Sequence, residues 1–262
     1  SQPSLLAEMP SGVRVGTFVH HVFEAVDFAA PDLVAHLGSE VERARARRHV
    51  DVGDPAAVVR GLATAIETPV LHGHRLRDVA RRDRLDELVF ELPLVGGDAA
   101  SGELTLSAIA AALRAHLPAG DALSSYPDRL EDPVLRQSVR GYLTGSIDLV
   151  LRTPDGRFAV VDYKTNRLGS PDDPLTAYDY RPSALAAAMQ SSHYVLQGLL
   201  YTIALHRYLR WRLPSYDAAA HLAGIHYLFL RGMLGPGSET GVFSWTPPPA
   251  LVEALDRVLE SG

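Results

Sequence analysis

The chain has 262 residues, 47% of them apolar and 21% charged, which is the composition of an ordinary globular protein. It contains no cysteine, so disulfides and a cysteine-ligated iron–sulfur cluster are excluded. A net charge of −6 is not the footprint of a chain that binds nucleic acid by bulk attraction, so any such contact must come from a local patch.

Residues 1–15 contain Pro, Ser and Gly and read as a linker. There is no basic segment followed by an apolar core, hence no visible signal peptide, and no apolar run reaches transmembrane length. The start at Ser1, without an initiator methionine, suggests a domain of a larger protein. Thr17 caps an expected helix from Phe18, whose apolar face is Phe18, Val19, Val22, Phe23 and Val26. His20 and Glu24 project together at i and i+4, while His21 points about 100° away.

Residues 31–85 read as helical, broken at Gly53-Asp54-Pro55 and Thr68-Pro69, with Asp54 as N-cap and Pro55 at the first helical position. Arg43, Arg45, Arg47 and Arg48, then Arg75, Arg77, Arg81, Arg82 and Arg84, are the candidates for a basic patch. The competing reading is solvated helix faces interleaved with Glu42, Asp78 and Asp83. His72 and His74 lack a third ligand nearby and read as loop or surface residues. A strand is expected over Leu88–Leu94, ending at Gly96-Gly97. A helix follows over 107–117, capped by Ser107, and then a loop from Ala119 to Asp132.

The segment from Gly141 to Gly169 reads as a β-hairpin. Val150, Leu151, Phe158, Val160 and Val161 give it strand composition, and Pro154-Asp155-Gly156 supplies a turn. With the turn centred on Asp155, Asp148 and Asp162 fall opposite each other. Facing carboxylates repel unless one is protonated or a cation lies between them. Lys164 shares the face of Asp162 by strand alternation. Two acids and a lysine on one face suit a divalent metal site with an ammonium beside it.

Thr165–Ser183 reads as a long polar loop bordering the site. Ala184–Arg212 reads as one long helix carrying Gln190, Tyr194, Gln197 and Tyr201 on one stripe. That stripe is either a buried row with satisfied polar tips or the wall of a groove. His206, Arg207 and Arg210 suit the helix C-terminal dipole. Leu222–Leu230 is an interior strand, Val242–Trp245 an edge strand, and Ala250–Leu259 a terminal helix.

These motifs, in this order, resemble the PD-(D/E)xK nucleases. The resemblance rests on Gly145-Ser146-Ile147-Asp148 and Asp162-Tyr163-Lys164-Thr165-Asn166. It continues through Ala186–Gln190, His193-Tyr194, Leu196-Gln197, Leu200–Thr202, Ala204–Leu209 and Tyr227–Gly232, and upstream through Gly16-Thr17-Phe18 with His20 and Glu24. Within the superfamily the chain is similar to the RecB-type nuclease domains of RecBCD helicase–nucleases (exonuclease V).

The resemblance implies an α/β restriction-endonuclease-like core, a central mixed sheet flanked by helices, over residues 16–262. It implies metal-dependent hydrolysis of DNA phosphodiesters. Lys164, Asp162 and Asp148 would be catalytic, and His20, Asp148, Asp162 and the Tyr163 backbone carbonyl would be metal ligands. Gln197, Tyr201, Gln190 and Tyr194 would line the DNA groove, and Glu24 would support the site. The acid Glu87 matches one that the family often carries, with an exposed strand-end charge as the plain alternative. Mg²⁺ is the implied cofactor, with Mn²⁺ also suited to a histidine ligand.

The implied partners are single-stranded DNA and duplex ends, RecC- and RecD-like subunits through a longer parent chain, and the recombinase RecA in double-strand break repair. A cytoplasmic location without membrane contact goes with them. No Gly-x-x-x-x-Gly-Lys-Ser/Thr loop is present, so no ATP binding is expected here. The competing function is a nuclease-fold module that binds DNA or a partner without cutting, which predicts loss of Asp148, Asp162 or Lys164. A third, an unrelated hydrolase, gives no account of the Gln197/Tyr201 helix.

Overall fold

Three helices open the chain: α1 (Val13–Ala25), α2 (Leu33–Arg48) and α3 (Pro55–Glu67). The computed structural model describes residues 2–93, 104–132, 138–139 and 142–261. Leu94 and Gly96-Gly97, expected to end a strand, and Arg140-Gly141, expected to open the hairpin, lie outside the described residues.

The linker expected over residues 1–15 is instead part of the packed structure. Leu6, Met9 and Val15 are buried, and Pro3 bridges to Thr176. Helix α1 starts at Val13 rather than Phe18 because Val15 belongs to the same buried stripe as Phe18, Val19, Val22 and Phe23.

Asp54 and Pro55 cap α3 as expected. Helical structure does not continue to residue 85. Pro69 ends it, and β1 (Pro69–Leu71) and β2 (His74–Arg75) form a small hairpin turned by His72 and Gly73, both at positive φ. Short 3₁₀ turns lead into β3 (Arg84–Pro93). Next come β4 (Leu104–Thr105), α4 (Leu106–His116, capped by Thr105 rather than Ser107), α5 (Tyr126–Leu130), β5 (Ser138–Val139), β6 (Tyr142–Arg152) and β7 (Phe158–Lys164). The C-terminal part holds α6 (Pro182–Ser191), α7 (Tyr194–Arg212), α8 (Ala218–His221), β8 (Leu222–Phe229), β9 (Val242–Trp245) and α9 (Pro249–Ser261).

The central sheet has the order β3-β6-β7-β8-β9 and is mixed: β7 and β8 are parallel, and the other neighbours are antiparallel. The parallel pair requires a crossover, which α6 and α7 supply. One face of the sheet packs Leu149, Leu151, Val161 and Leu228 against α1–α3, and the other packs Val150, Val160, Ile225 and Tyr227 against α4, α7 and α9. This is the expected α/β architecture, with β8 interior and β9 at the edge.

The expected 184–212 helix is two helices. The chain breaks at Ser192-His193, where His193 adopts the left-handed conformation and its ring accepts or donates a 3.1 Å hydrogen bond with Tyr126 Oη. The expected polar loop 165–183 is well anchored. Leu175 and Tyr180 are buried, and Tyr180 Oη donates to Asn166 O at 2.8 Å.

Arg231, fully buried, ties the N-terminal segment to the end of β7. Its guanidinium donates to Leu6 O (2.6 Å), Pro10 O (2.9 Å) and Thr165 O (2.8 Å), with no carboxylate among these acceptors. Burial pulls its pKa down. At the far end of α7, His206, Arg207 and Arg210 converge on buried Asp256, with Arg207 Nε 2.5 Å and Arg210 Nη1 2.9 Å from its carboxylate. The helix dipole is therefore not the whole reason for those three residues. Among the described residues no helix is long and apolar enough to cross a membrane.

Candidate active site

The turn between β6 and β7 closes as its composition requires. Thr153 N donates to Arg157 O at 2.8 Å and Gly156 N to Thr153 O at 2.9 Å. Pairing runs from Arg152↔Phe158 to Leu149↔Val161. Asp148 and Asp162 are the next positions in that register.

The ladder opens there. Asp148 Oδ2 accepts the Tyr163 N–H at 2.9 Å, a carboxylate standing where a strand carbonyl would be. A crease in the sheet turns Asp148 this way. Leu149 and Leu151 face the α1–α3 core, yet Ile147, two residues before Leu149, faces the opposite core, so alternation slips at Asp148. Strand β3 slips in step. Leu88, Phe90 and Leu92 pack on the second core, Leu85 lies on that side beside Val150 and Leu205, and the intervening Glu87 has φ +50°. Positive φ costs a residue with a side chain on the order of 1 kcal/mol, and such outliers concentrate at functional sites. Glu87, the acid expected at the strand's start, thus lies within β3 and is exposed.

Four expected residues meet at the opening. Asp162 is 2% exposed. Lys164 Nζ lies 2.6 Å from Asp162 Oδ1, at ion-pair distance but outside hydrogen-bond alignment, so that buried oxygen has no aligned donor. Burial pushes the Asp162 carboxyl up to about 7. The charge of Asp148 adds to this, and Lys164 and His20 oppose it. His20 bridges the acids to the backbone, with Nδ1 3.2 Å from Asp148 Oδ1 and Nε2 2.9 Å from the Tyr163 carbonyl. Burial alone would lower its pKa, but the hydrogen bond and charge of Asp148, with smaller contributions from Asp162 and the Tyr163 carbonyl, hold it above the ordinary histidine value.

Helix α7 walls the site. Gln197 Oε1 accepts from Lys164 Nζ at 3.2 Å and from Tyr227 Oη at 2.9 Å, and Gln197 Nε2 donates to Tyr201 Oη at 3.0 Å. Tyr194 lies against the lysine, with Nζ 4.2 Å from its ring centroid, and its hydroxyl meets Asn166 at 3.2 Å. Tyr201 is 9% exposed and supports Gln197 from beneath rather than lining an open groove. Gln190 is not on this wall: the helix break swings it to the 121–126 segment, where its Oε1 accepts from Ser125 Oγ at 3.1 Å. Glu24 is also elsewhere, pairing with His21 Nδ1 at 3.1 Å.

The arginine candidates are largely engaged. Arg43 pairs with Glu40, Arg45 with Glu42, and Arg75 with Glu67 and Asp78. Arg77 reaches Glu67 and the Phe28 carbonyl. Arg84, with a side chain 1% exposed, donates to Phe23 O and Asp86. Sequence reasoning missed Tyr227. Its signal was a phenol in an otherwise apolar interior strand, a polar tip that burial obliges to find a partner.

Among the described residues no three His, Asp or Glu side chains already form a metal cage. The donor chemistry nonetheless fits a small divalent cation: two carboxylates, a carbonyl and an imidazole. His20 Nε2 and Tyr163 O lie 2.9 Å apart. Adjacent ligands of an octahedral ion with bonds of about 2.1 Å are about 3 Å apart. The unpartnered oxygen of Asp162 leaves a lone pair for the same role.

A hairpin opened at two facing acids, with lysine two residues beyond the second and a Gln/Tyr helix above, defines a nuclease core. The chain belongs to the PD-(D/E)XK nuclease superfamily, whose pattern matches residues 5–257. It is 47% identical to the RecBCD enzyme subunit RecB of Mycobacterium tuberculosis and 44% identical to that of Mycolicibacterium smegmatis. Each match covers 99% of this chain and 25% of the relative. The RecBCD enzyme subunit RecB of Escherichia coli is 34% identical over 96% of this chain and 19% of its own length. The chain thus spans about a quarter or less of these relatives.

Proposed function

We propose that this chain is the nuclease domain of a RecBCD-type helicase–nuclease and hydrolyses DNA phosphodiester bonds with a divalent cation. The observation that carries the reading is the convergence of Asp148, Asp162 and Lys164 at one break in the sheet, with Asp162 buried and Lys164 Nζ 2.6 Å from its carboxylate. A nuclease-fold module that binds without cutting has no need of that arrangement.

His20, Asp148, Asp162 and the Tyr163 carbonyl would hold the cation. Mg²⁺ is the best match to the oxygen donors, and Mn²⁺ tolerates the imidazole. A bound cation would supply charge neutralisation at the phosphate and a more acidic water. For that, His20 must give up its contact with the Tyr163 carbonyl, and Asp162 must lose its proton to solvent. Lys164, tethered by Asp162 and Gln197, presents an ammonium where negative charge grows on the phosphate and where the attacking water is oriented. Tyr194 and Asn166, at the rim, meet the strand being cut.

The relatives' names support RecC- and RecD-like partners for a longer protein. Exonuclease V activity on single strands and duplex ends, a link to RecA, a role in double-strand break repair and a cytoplasmic location belong to the same reading. The test is degradation of linear single-stranded DNA by wild type and Asp162→Ala, in Mg²⁺ and in EDTA. Metal-dependent cleavage that disappears in the variant is the expected result. Cleavage undiminished by the substitution would overturn it, and DNA binding without cleavage by a folded wild type would favour the non-cutting module.

A further inference from the structure

Lys164 is the only lysine in the chain, against 24 arginines. Its ammonium is held by four groups from three elements. Asp162 Oδ1 lies at 2.6 Å and Gln197 Oε1 at 3.2 Å. The Tyr194 ring centroid is at 4.2 Å and the Tyr227 ring centroid at 5.2 Å. The two rings are stacked, 5.7 Å apart and inclined by 20°.

Gln197 is the member whose orientation must be fixed from outside, because an amide turned over would offer Lys164 an N–H instead of an oxygen. Two hydroxyls fix it. Tyr201 Oη accepts from Nε2, and Tyr227 Oη, on a fully buried side chain from β8, donates to Oε1. That Oε1 therefore serves Tyr227 and Lys164 at once. Without the Tyr227 hydroxyl, the carbonyl end of the amide is held by the Lys164 ammonium alone.

We infer that Tyr227 is a positioning residue for the reaction: its hydroxyl locks the Gln197 amide carbonyl toward Lys164, and its ring with that of Tyr194 confines the ammonium to one direction. This rests on the reading of Lys164 as the group that faces the phosphate. The contact between Lys164 and Gln197 is a charge-assisted hydrogen bond, the stronger kind, so loosening its anchor is felt at the reacting phosphate. Tyr227 itself is fully buried beneath Gln197 and out of reach of a bound strand, so its loss should spare substrate binding.

The 262-residue chain labelled at lysine Cε with ¹³C is expected to give one side-chain signal, which needs no assignment. In wild type its protons are expected to be shifted upfield by the two rings. Tyr227→Phe keeps the ring and deletes the hydroxyl, and Gln197→Met keeps the bulk and deletes the acceptor. Both are expected to move the lysine signal. Both should lower kcat for single-stranded DNA in Mg²⁺ by about tenfold, with KM within twofold. The double variant should be no slower than Gln197→Met, because Tyr227 acts through Gln197.

A lysine signal unmoved by Tyr227→Phe would overturn the inference. So would a Tyr227→Phe penalty that persists in full on the Gln197→Met background. If wild type does not cleave, the proposed nuclease reading fails, while the lysine signal still decides whether Tyr227 positions Lys164. Should Tyr227→Phe lose its near-UV circular dichroism, Gln197→Met carries the test: an unmoved lysine signal there equally overturns the linkage.

Discussion

Replacing Asp162 by Asn isolates the free energy stored in the buried acid pair. The Asp162 carboxyl is raised from 3.8 to about 7, first by burial and then by the charge of Asp148. At about 1.4 kcal/mol per decade, ionising it in the folded protein rather than in the unfolded chain costs roughly 4 kcal/mol. Movement of Lys164 and His20 toward the ionised oxygen brings the working range to about 2–4 kcal/mol. The sign follows from proton linkage. Below pH 4 both states hold the proton and the contribution is fully present. Between pH 4 and 7 the unfolded chain releases it while the folded protein keeps it, so stability falls as pH rises. Above 7 the curve is flat.

Urea unfolding in EDTA should therefore show wild type losing about 2–3 kcal/mol between pH 5 and 8 relative to Asp162→Asn. At pH 8 the inactive variant should be the more stable protein. Adding Mg²⁺ at pH 8 should restore wild type, by about 2.7 kcal/mol at a hundredfold excess over its dissociation constant, and leave the variant unmoved. Parallel pH profiles for the two proteins would refute the reasoning, because Asp162 would then titrate alike in both states.

Three other substitutions test the surrounding structure. Asp256→Ala leaves Arg207, Arg210 and His206 around an empty centre and should cost about 3 kcal/mol by urea denaturation. Burial would raise that carboxyl, but hydrogen bonds from His206 and Arg207 hold it well below the usual range, so this stabilisation is present above about pH 4 and is lost on further acidification. Gly232→Ala would put a Cβ 2.2 Å from Tyr180 Cβ, and thermal unfolding should report a loss of about 2–3 kcal/mol. Glu24→Ala should leave kcat within twofold in the DNA degradation assay, since Glu24 pairs with His21 and not with the site; a loss beyond tenfold would return it there.

The hairpin and its facing acids were readable because turn chemistry fixes register, and register fixes which residues oppose. The crease was not legible in the same way. Alternation is a rule for regular strands, and the slip at Glu87 and Asp148 arises from a backbone conformation that no residue type there announces. Gln197 and Tyr201 were found as a pair, but their roles were not: a stripe on a helix says which residues share a face and not what lies beneath it. Gln190 was carried along by the assumption of one continuous helix, because Ser192-His193 is not a composition that breaks one. The first fifteen residues looked like a linker because Leu6 and Met9 follow no helical or strand period. Their side chains are buried around α3, beside Val52, Val58 and Gly61, and the Leu6 carbonyl is bonded by Arg231, more than 200 positions away.

That clamp changes how the beginning of the chain comes apart. Segments outside helices and sheet usually open at little free-energy cost. Here, peeling residues 2–10 from the surface would strip a buried cation of the Leu6 and Pro10 carbonyls and leave it with Thr165, next to Lys164. The amides of Ser4, bonded to Leu175, and Ala177, bonded to Gln2, should therefore exchange with solvent at the pace of global unfolding. In kinetic terms, opening of the N-terminal segment should be coupled through Arg231 to the ends of β7 and β8, so that a pull applied ahead of Ser4 is expected to load the strand ends beside Lys164.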